Sequence, residues 1–373
     1  MHVAYDARPL IEKGTGIGRY LRCLLEALLG FEEMREFLLC SPREIATGDV
    51  LARDSRVREL VQKGWKGNVW LQMVVPFLLK KHKPDLFHGT LFLPPLLARH
   101  PSVVNIYDLT VYRCPETMEA RNKWPLKMLL PRAVSRADRI ITLSEFTKQE
   151  IVEQWPEAMH KIEVIPGAPY LSLDAPSGVS PVEDPERVLA RYGVQSPYLL
   201  YVGTMEPRKN IVRLLKAFEL LNEMGEKGTQ LVLAGHEGWG LREVREAWES
   251  SPVRSSIRYI GYVPDEVLGL FYRHADLFVF LSLYEGFGLP PLEAMAAGTC
   301  VVASDRASLP ECLGEAGVQV DPLDVEAVAA TLFRLLRDGD LRKEYEEKGL
   351  ERAKSYSWQR SAAETVAVYK EFA

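Results

Sequence analysis

At 373 residues the chain exceeds one ordinary domain, and at about 150 residues per domain its length predicts two. Hydrophobic residues make up 47% and charged residues 26%, the profile of a soluble globular protein, which excludes disorder as the dominant state. The net charge of −5 is unevenly divided: residues 1–170 hold 24 Lys+Arg against 20 Asp+Glu, and the rest hold 22 against 31. That split predicts two domains meeting different partners, with an anionic surface for the first. Five widely spaced cysteines (Cys23, Cys40, Cys114, Cys300, Cys312) contain no C-x-x-C, which predicts reduced thiols in a cytosol and no zinc site. Asp6, Arg8 and Glu12 stand where a signal peptide would need an apolar core, so none is expected. Apolar runs such as Met73–Leu79 fall far short of the roughly 18 residues that span a bilayer.

Along the chain, short β-branched or apolar runs alternate with amphipathic stretches, the pattern of parallel α/β units. In the first half the predicted strands are His2–Tyr5, Glu36–Cys40, Asp85–His88, Ser102–Ile106, Arg139–Leu143 and Lys161–Ile165. Helices are predicted over Ile17–Leu29 and over Phe146–Gln154, the latter capped by Ser144. Residues 171–197, with Pro176, Pro181, Pro185 and Pro197, read as an inter-domain connection holding a short helix around Pro185–Tyr192. The pattern then restarts. Strands are predicted at Tyr198–Gly203, Gln230–Gly235, Ser256–Gly261, Leu277–Leu281 and Cys300–Ala303. Helices are predicted at Ile211–Met224, Leu241–Ser250, Asp265–Arg273, Pro291–Ala297 and through most of the chain after Val325. The expected fold class is α/β, with two Rossmann-like doubly wound domains and a ligand site at the carboxyl ends of the strands, in the cleft between domains. The domain bounds read as 1–170, 171–197 for the connection, 198–357, and 358–373 for a final helix.

Three segments carry chemistry. In Gly14-Thr15-Gly16-Ile17-Gly18-Arg19-Tyr20, glycines open a helix whose free N–H groups can face an anion. A dinucleotide fingerprint fits poorly there, because the spacing is G-x-G-x-G and eight residues separate the strand from the first glycine. A plain glycine turn stays open as an alternative. In Thr204-Met205-Glu206-Pro207-Arg208-Lys209-Asn210, a basic pair follows a strand and precedes a helix, which suits a diphosphate; a solvated basic turn is the bland reading. In Leu281–Ala294, Glu285 and Glu293 flank the amides of Gly286, Phe287, Gly288 and Leu289. Carboxylates accept from hydroxyls and amides donate to phosphate, so the pattern suits a polyhydroxylated, diphosphate-bearing ligand. Glu293 alone could simply complement a helix dipole.

With these segments in order, together with Ser144–Thr147, Gly261–Asp265 and Leu309–Glu311, the sequence resembles glycosyltransferase family 4, especially its bacterial mannosyltransferase-like members. The resemblance covers nearly the whole chain. It implies the GT-B architecture, with two Rossmann-like domains facing a central cleft, acceptor on the first and donor on the second, and the final helix returning to the first. By the same resemblance, Arg208 and Lys209 neutralise the donor diphosphate. Glu285 binds the transferred sugar, Glu293 the ribose, Gly286–Leu289 surround sugar and phosphate, and Gly16 and Gly18 close over the diphosphate.

The sequence departs from the family's pattern at two points. Tyr107, before Asp108, stands where relatives usually carry a histidine that contacts the donor sugar. A phenol, with its ordinary pKa of about 10, is a poor general base near neutrality. His88, at a strand end of the same sheet, is either its substitute or a structural polar residue. Thr204 stands where some relatives carry another arginine. The only D-x-D, Asp338-Gly339-Asp340, reads as a helix junction, and no cofactor or divalent metal is implied.

Within residues 121–139, Arg121, Lys123, Lys127, Arg132, Arg136 and Arg139 interleave with Trp124 and Met128. Either this stretch makes peripheral contact with anionic membrane, or its basic stems cover core; Pro125 and Pro131 are expected to interrupt any helix. The expected activity is transfer of a hexose with retention, favouring mannose from GDP-mannose. The acceptor would be a glycan or lipid-linked saccharide in cell-surface polysaccharide assembly, and no nucleic-acid partner is expected. The rival readings are a nucleotide-sugar-binding protein without transfer activity, a nucleotide-sugar epimerase and an NAD-dependent dehydrogenase.

Overall fold

A computed structural model describes residues 1–11, 14–45, 48–118, 120–170 and 184–372. Glu12, residues 171–183 of the predicted connection and the Arg121 side chain lie outside the described residues. The chain divides into two compact units, one comprising Met1–Ala168 with Tyr356–Ala373 and the other Pro169–Ser355. The helix Pro185–Arg191, which composition assigned to the connection, groups with the second unit, and the helix Trp358–Tyr369 groups with the first.

In the first unit, the described residues form β1 (His2–Asp6), β2 (Glu36–Ser41), β3 (Val57–Val61), β4 (Leu86–Gly89), β5 (Ser102–Asn105), β6 (Arg139–Thr142) and β7 (Ile162–Val164). They make one sheet in the order β3-β2-β1-β4-β5-β6-β7, with every pair parallel. Sequence reading missed β3. Its V-R-E-L-V composition breaks the apolar run, and charge of that kind suits the sheet edge it occupies.

One face of this sheet is covered by the helices Gly67–Met73, Val75–His82 and Ala120–Arg136. Trp70, Leu71, Val75, Leu130 and Val134 share a core there with Ala4, Phe87 and Val104. Contrary to expectation, Pro125 and Pro131 lie inside a helix that runs through them. Pro131 has no N–H for the carbonyl of Lys127 four residues earlier, and the Tyr112 hydroxyl donates to that oxygen instead, at 3.0 Å. The opposite face carries the helices Gly16–Leu28 and Trp358–Tyr369, with Tyr20 edge-on to Trp358 at a centroid distance of 5.4 Å.

In the second unit β8 (Tyr198–Val202), β9 (Gln230–Ala234), β10 (Ile257–Gly261), β11 (Leu277–Phe280), β12 (Val301–Ser304) and β13 (Val318–Val320) form a parallel sheet in the order β10-β9-β8-β11-β12-β13. Numbered within the unit, this is 3-2-1-4-5-6, the doubly wound Rossmann order. Connections leave β8 and β11 toward opposite faces, so the ends of these two strands bound the switch point where such sheets bind ligands. Next to it, Gly235 (φ +138°) backs onto Gly203, and a Cβ there would stand 2.1 Å from the Gly203 carbonyl oxygen. Only glycine allows that approach.

Candidate active site

β8 is buried along its whole length and delivers the chain to a turn at Gly203-Thr204. A 3-10 turn, Pro207–Lys209, follows, and Asn210 in left-handed geometry (φ 60°) breaks it from the helix Ile211–Glu223. Asn210 is held by its amide, which donates to the Pro322 carbonyl at 2.8 Å. This places Arg208 and Lys209 at the switch point. β11 delivers Ser282–Glu285 to the same place, and the Leu283 N–H donates to the Arg208 carbonyl at 2.8 Å.

The side chains meet there. Arg208 Nη1 donates to Glu285 Oε2 at 2.7 Å and to the Tyr284 carbonyl at 2.9 Å. Arg208 Nη2 lies 2.9 Å from Glu206 Oε1. Lys209 Nζ donates to Glu285 Oε1 and sits over the Phe280 ring, 5.0 Å from its centroid. Lys209 and Glu285 are both buried. Burial would raise the Glu285 pKa, but the charges and hydrogen bonds of Arg208 and Lys209 outweigh it and hold the group at about 2. Burial and the Arg208 charge pull the Lys209 ammonium down from its ordinary value, with Glu285 and Glu206 opposing. The four formal charges cancel. The cluster therefore holds two cations fixed in place rather than a net positive patch.

Glu285 opens the loop that Gly286, Phe287 and Gly288 continue into the helix Leu289–Ala296. Pro290 and Pro291 have no N–H, so the first turn of this helix offers fewer donors than usual, and an anion would draw on amides around Gly288 and Leu289. The loop is held from behind. Ser308 Oγ lies 2.8 Å from the Glu285 carbonyl and 2.7 Å from that of Phe287, and Ser304 Oγ donates to the Ser282 carbonyl at 2.6 Å. Glu293 is buried in the helix and accepts from the Tyr272 hydroxyl at 2.9 Å, which fixes its carboxylate. Thr204 is exposed at the turn after β8. Sequence reading gave no role to Glu206, Tyr272, Ser304 or Ser308. Glu206 stood inside the basic motif and Ser308 one residue before the Leu309–Glu311 segment, but neither has a charge pattern or spacing that names its partner.

In the first unit, Gly16 and Gly18 start a helix capped by Thr15, whose Oγ1 accepts from the Gly18 N–H at 3.1 Å. The two glycines differ. A Cβ on Gly18 would stand 2.6 Å from the Pro9 carbonyl oxygen, whereas one on Gly16 meets nothing within 4 Å. Packing therefore explains Gly18 but not Gly16. At the carboxyl end of β1, Asp6 accepts from the Arg8 guanidinium on both oxygens, from Nε on Oδ1 at 2.8 Å and from Nη2 on Oδ2 at 2.6 Å.

His88 is buried with both ring nitrogens engaged: Nδ1 with the Tyr369 hydroxyl at 2.6 Å and Nε2 with Asn105 Oδ1. Burial lowers its pKa to about 4. It ties β4 to the helix Trp358–Tyr369, which is the structural reading, and leaves no nitrogen for a substrate. Tyr107 is buried between Tyr20 and Phe92, edge-on to each at 5.6 Å. Its hydroxyl has no hydrogen-bond partner among the described residues, and burial drives its pKa well upward. Asp108 Oδ1 accepts from the Thr110 N–H at 2.9 Å. Asp338 caps the helix Gly339–Lys354, so the D-x-D lies at a helix junction. Among the described residues, no cluster of three or more His, Cys, Asp or Glu is arranged to hold a metal ion, and no helix is long and apolar enough to cross a membrane.

The family described as Glycosyltransferase Family 4 matches residues 14–168, and that described as Glycosyl transferases group 1 matches residues 190–352. The O-antigen chain mannosyltransferase B of Escherichia coli is 36% identical over 303 residues, spanning 78% of this chain and 76% of that one. Among solved structures, a sucrose-phosphate synthase from Thermosynechococcus elongatus superposes with a TM-score of 0.77 at 20% identity, covering 100% of this chain and 98% of that one. Anabaena HepE in complex with UDP-glucose superposes with a TM-score of 0.76 at 17% identity, covering 98% and 99%. Two doubly wound units with this topology define a glycosyltransferase of the GT-B architecture. The chain belongs to glycosyltransferase family 4 and is similar to its mannosyltransferase-like members.

Proposed function

We propose that the protein transfers mannose from GDP-mannose to a glycan or lipid-linked saccharide in cell-surface polysaccharide assembly, with retention at the anomeric carbon and without a divalent metal. The observation that carries the reading is the meeting of Arg208 and Lys209, from the end of β8, with Glu285, from the end of β11. The choice of sugar leans on similarity to the O-antigen chain mannosyltransferase B. Departure of a nucleoside diphosphate builds negative charge on phosphate, and fixed cations lower that barrier without reorganising. Glu285, held ionised, accepts from sugar hydroxyls and opposes positive character at the reacting carbon; it carries no proton to donate near neutrality. No side chain is assigned as nucleophile. The donor phosphate helps deprotonate the acceptor on the face the leaving group vacates. Turnover compared across GDP-mannose, UDP-glucose and UDP-N-acetylglucosamine tests the donor: preference for either UDP-sugar would overturn the mannosyl reading.

One observation favours a second reading, a nucleotide-sugar-binding protein without transfer activity. Tyr107 holds a neutral, buried phenol where relatives usually carry histidine. Tight donor binding without turnover, with turnover gained in Tyr107→His, would establish that reading.

A further inference from the structure

On the reading that Arg208 and Lys209 take the donor diphosphate, we propose that Glu206 is its built-in competitor: the Glu206 carboxylate occupies the donor of Arg208 that the ligand takes, and swings out when the ligand arrives. Glu206 stands two residues before Arg208, in extended geometry (φ −142°) at the entry to the turn Pro207–Lys209. Its backbone is fixed. The Glu206 carbonyl accepts from the Lys209 N–H at 2.9 Å, and the preceding Met205 carbonyl accepts from the Gly238 N–H at 3.1 Å. The side chain is held by less. Glu285 pairs with both cations, through Arg208 Nη1 and Lys209 Nζ, whereas Glu206 pairs with Arg208 alone among the described residues, 2.9 Å from Nη2.

The pair is also the more open of the two. The Glu206 and Arg208 side chains are 18% and 17% exposed, against 12% and 9% for Glu285 and Lys209. The donors of Arg208 are already divided. Nη1 donates to Glu285 Oε2 and to the Tyr284 carbonyl, which uses both of its hydrogens. Either edge of a guanidinium that can bind an anion at two points includes Nη2, and Glu206 is on it. A carboxylate and a phosphate oxygen cannot crowd onto that nitrogen without like-charge repulsion, which is strong where water is partly excluded. The weaker-held carboxylate is the one to leave. Its departure turns a neutral cluster into two cations facing one carboxylate, the balance that a diphosphate requires. Glu206 thereby sets how tightly the site holds both the donor and the nucleoside diphosphate left after transfer.

The test is calorimetric titration of the full chain with GDP and with UDP, comparing the parent with Glu206→Gln and Glu206→Ala. Both variants keep Pro207 and the backbone hydrogen bond that closes the turn. Whichever nucleoside diphosphate the parent binds, each variant should bind it at least about tenfold more tightly, because no competitor has to be displaced. The matching nucleoside, which has no phosphate, should bind all three proteins alike. Affinity for the diphosphate equal to or below the parent's in either variant would overturn the proposal, since the carboxylate would then serve to position Arg208 and not to compete. Tighter binding of the nucleoside as well would also overturn it, because the gain would not depend on phosphate. A parent that binds neither GDP nor UDP would remove the diphosphate reading of Arg208 and Lys209, and the proposal with it.

Discussion

Lys209 and Glu285, 76 residues apart in the chain, meet as a buried ion pair in which Nζ donates to Oε1. Each comes from a loop after one of the two strands bounding the switch point of the second sheet, so the winding of the sheet brings them together. Arg208 binds the other oxygen of the same carboxylate. Removing either cation therefore changes the setting of Glu285 as well as the local charge.

Lys209→Ala should lower donor turnover by at least about a hundredfold, the scale for losing a preorganised stabiliser of leaving-group charge. Because Arg208 still pairs Glu285, the loss of folding stability should be only about 1–3 kcal/mol. Steady-state kinetics and thermal unfolding separate the two effects. Near-normal turnover would remove Lys209 from the site.

Glu285→Gln and Glu293→Gln should differ in kind. The first should lower turnover more than nucleotide affinity. The second should weaken nucleotide binding, because the amide keeps one acceptor oxygen, which Tyr272 engages, and sets a donor NH2 where the second carboxylate oxygen would accept from the ligand. Titration with the nucleoside diphosphate beside kcat measurement checks this, and the reverse pattern would exchange the roles.

How far the sequence carries can be seen in these same residues. Glu285 and Lys209 were legible because charge stood at strand ends and glycine stood between the acids. That they neutralise each other was not, since pairing across 76 residues depends on strand order, and periodicity does not encode strand order. β3 escaped because an edge strand need not be apolar, and the helix through Pro131 because the Tyr112 hydroxyl, 15 residues before Lys127, supplies the hydrogen bond that this proline cannot. His88 was ambiguous in sequence; its partner Tyr369 lies at the far end of the chain.

Ser308→Ala should loosen the Glu285–Phe287 backbone by removing the hydroxyl that both carbonyls share. A stability loss of about 1 kcal/mol is expected, with turnover falling while nucleotide affinity is largely kept. Calorimetry and kinetics on the one variant check it; unchanged turnover would show that the loop holds its shape without Ser308.

The buried His88 should make stability depend on acid. Its folded pKa of about 4 lies below the ordinary 6.5, so between these values the unfolded chain binds the proton and the folded chain does not. Stability is complete above about pH 6.5 and falls on the order of 3 kcal/mol by pH 4. His88→Gln should flatten that window in urea titrations, and an unchanged slope would contradict the assignment. Glu285 acts lower: its contribution is present above its ordinary 4.5 and lost as pH falls toward about 2.

The most direct measurement is the anomeric configuration, by NMR, of a product formed from GDP-mannose and a saccharide acceptor with a metal chelator present. Acceptor-dependent release of GDP and a mannoside with the donor's configuration retained are expected. An inverted mannoside, or the absence of product until a divalent metal is supplied, would contradict the proposed function.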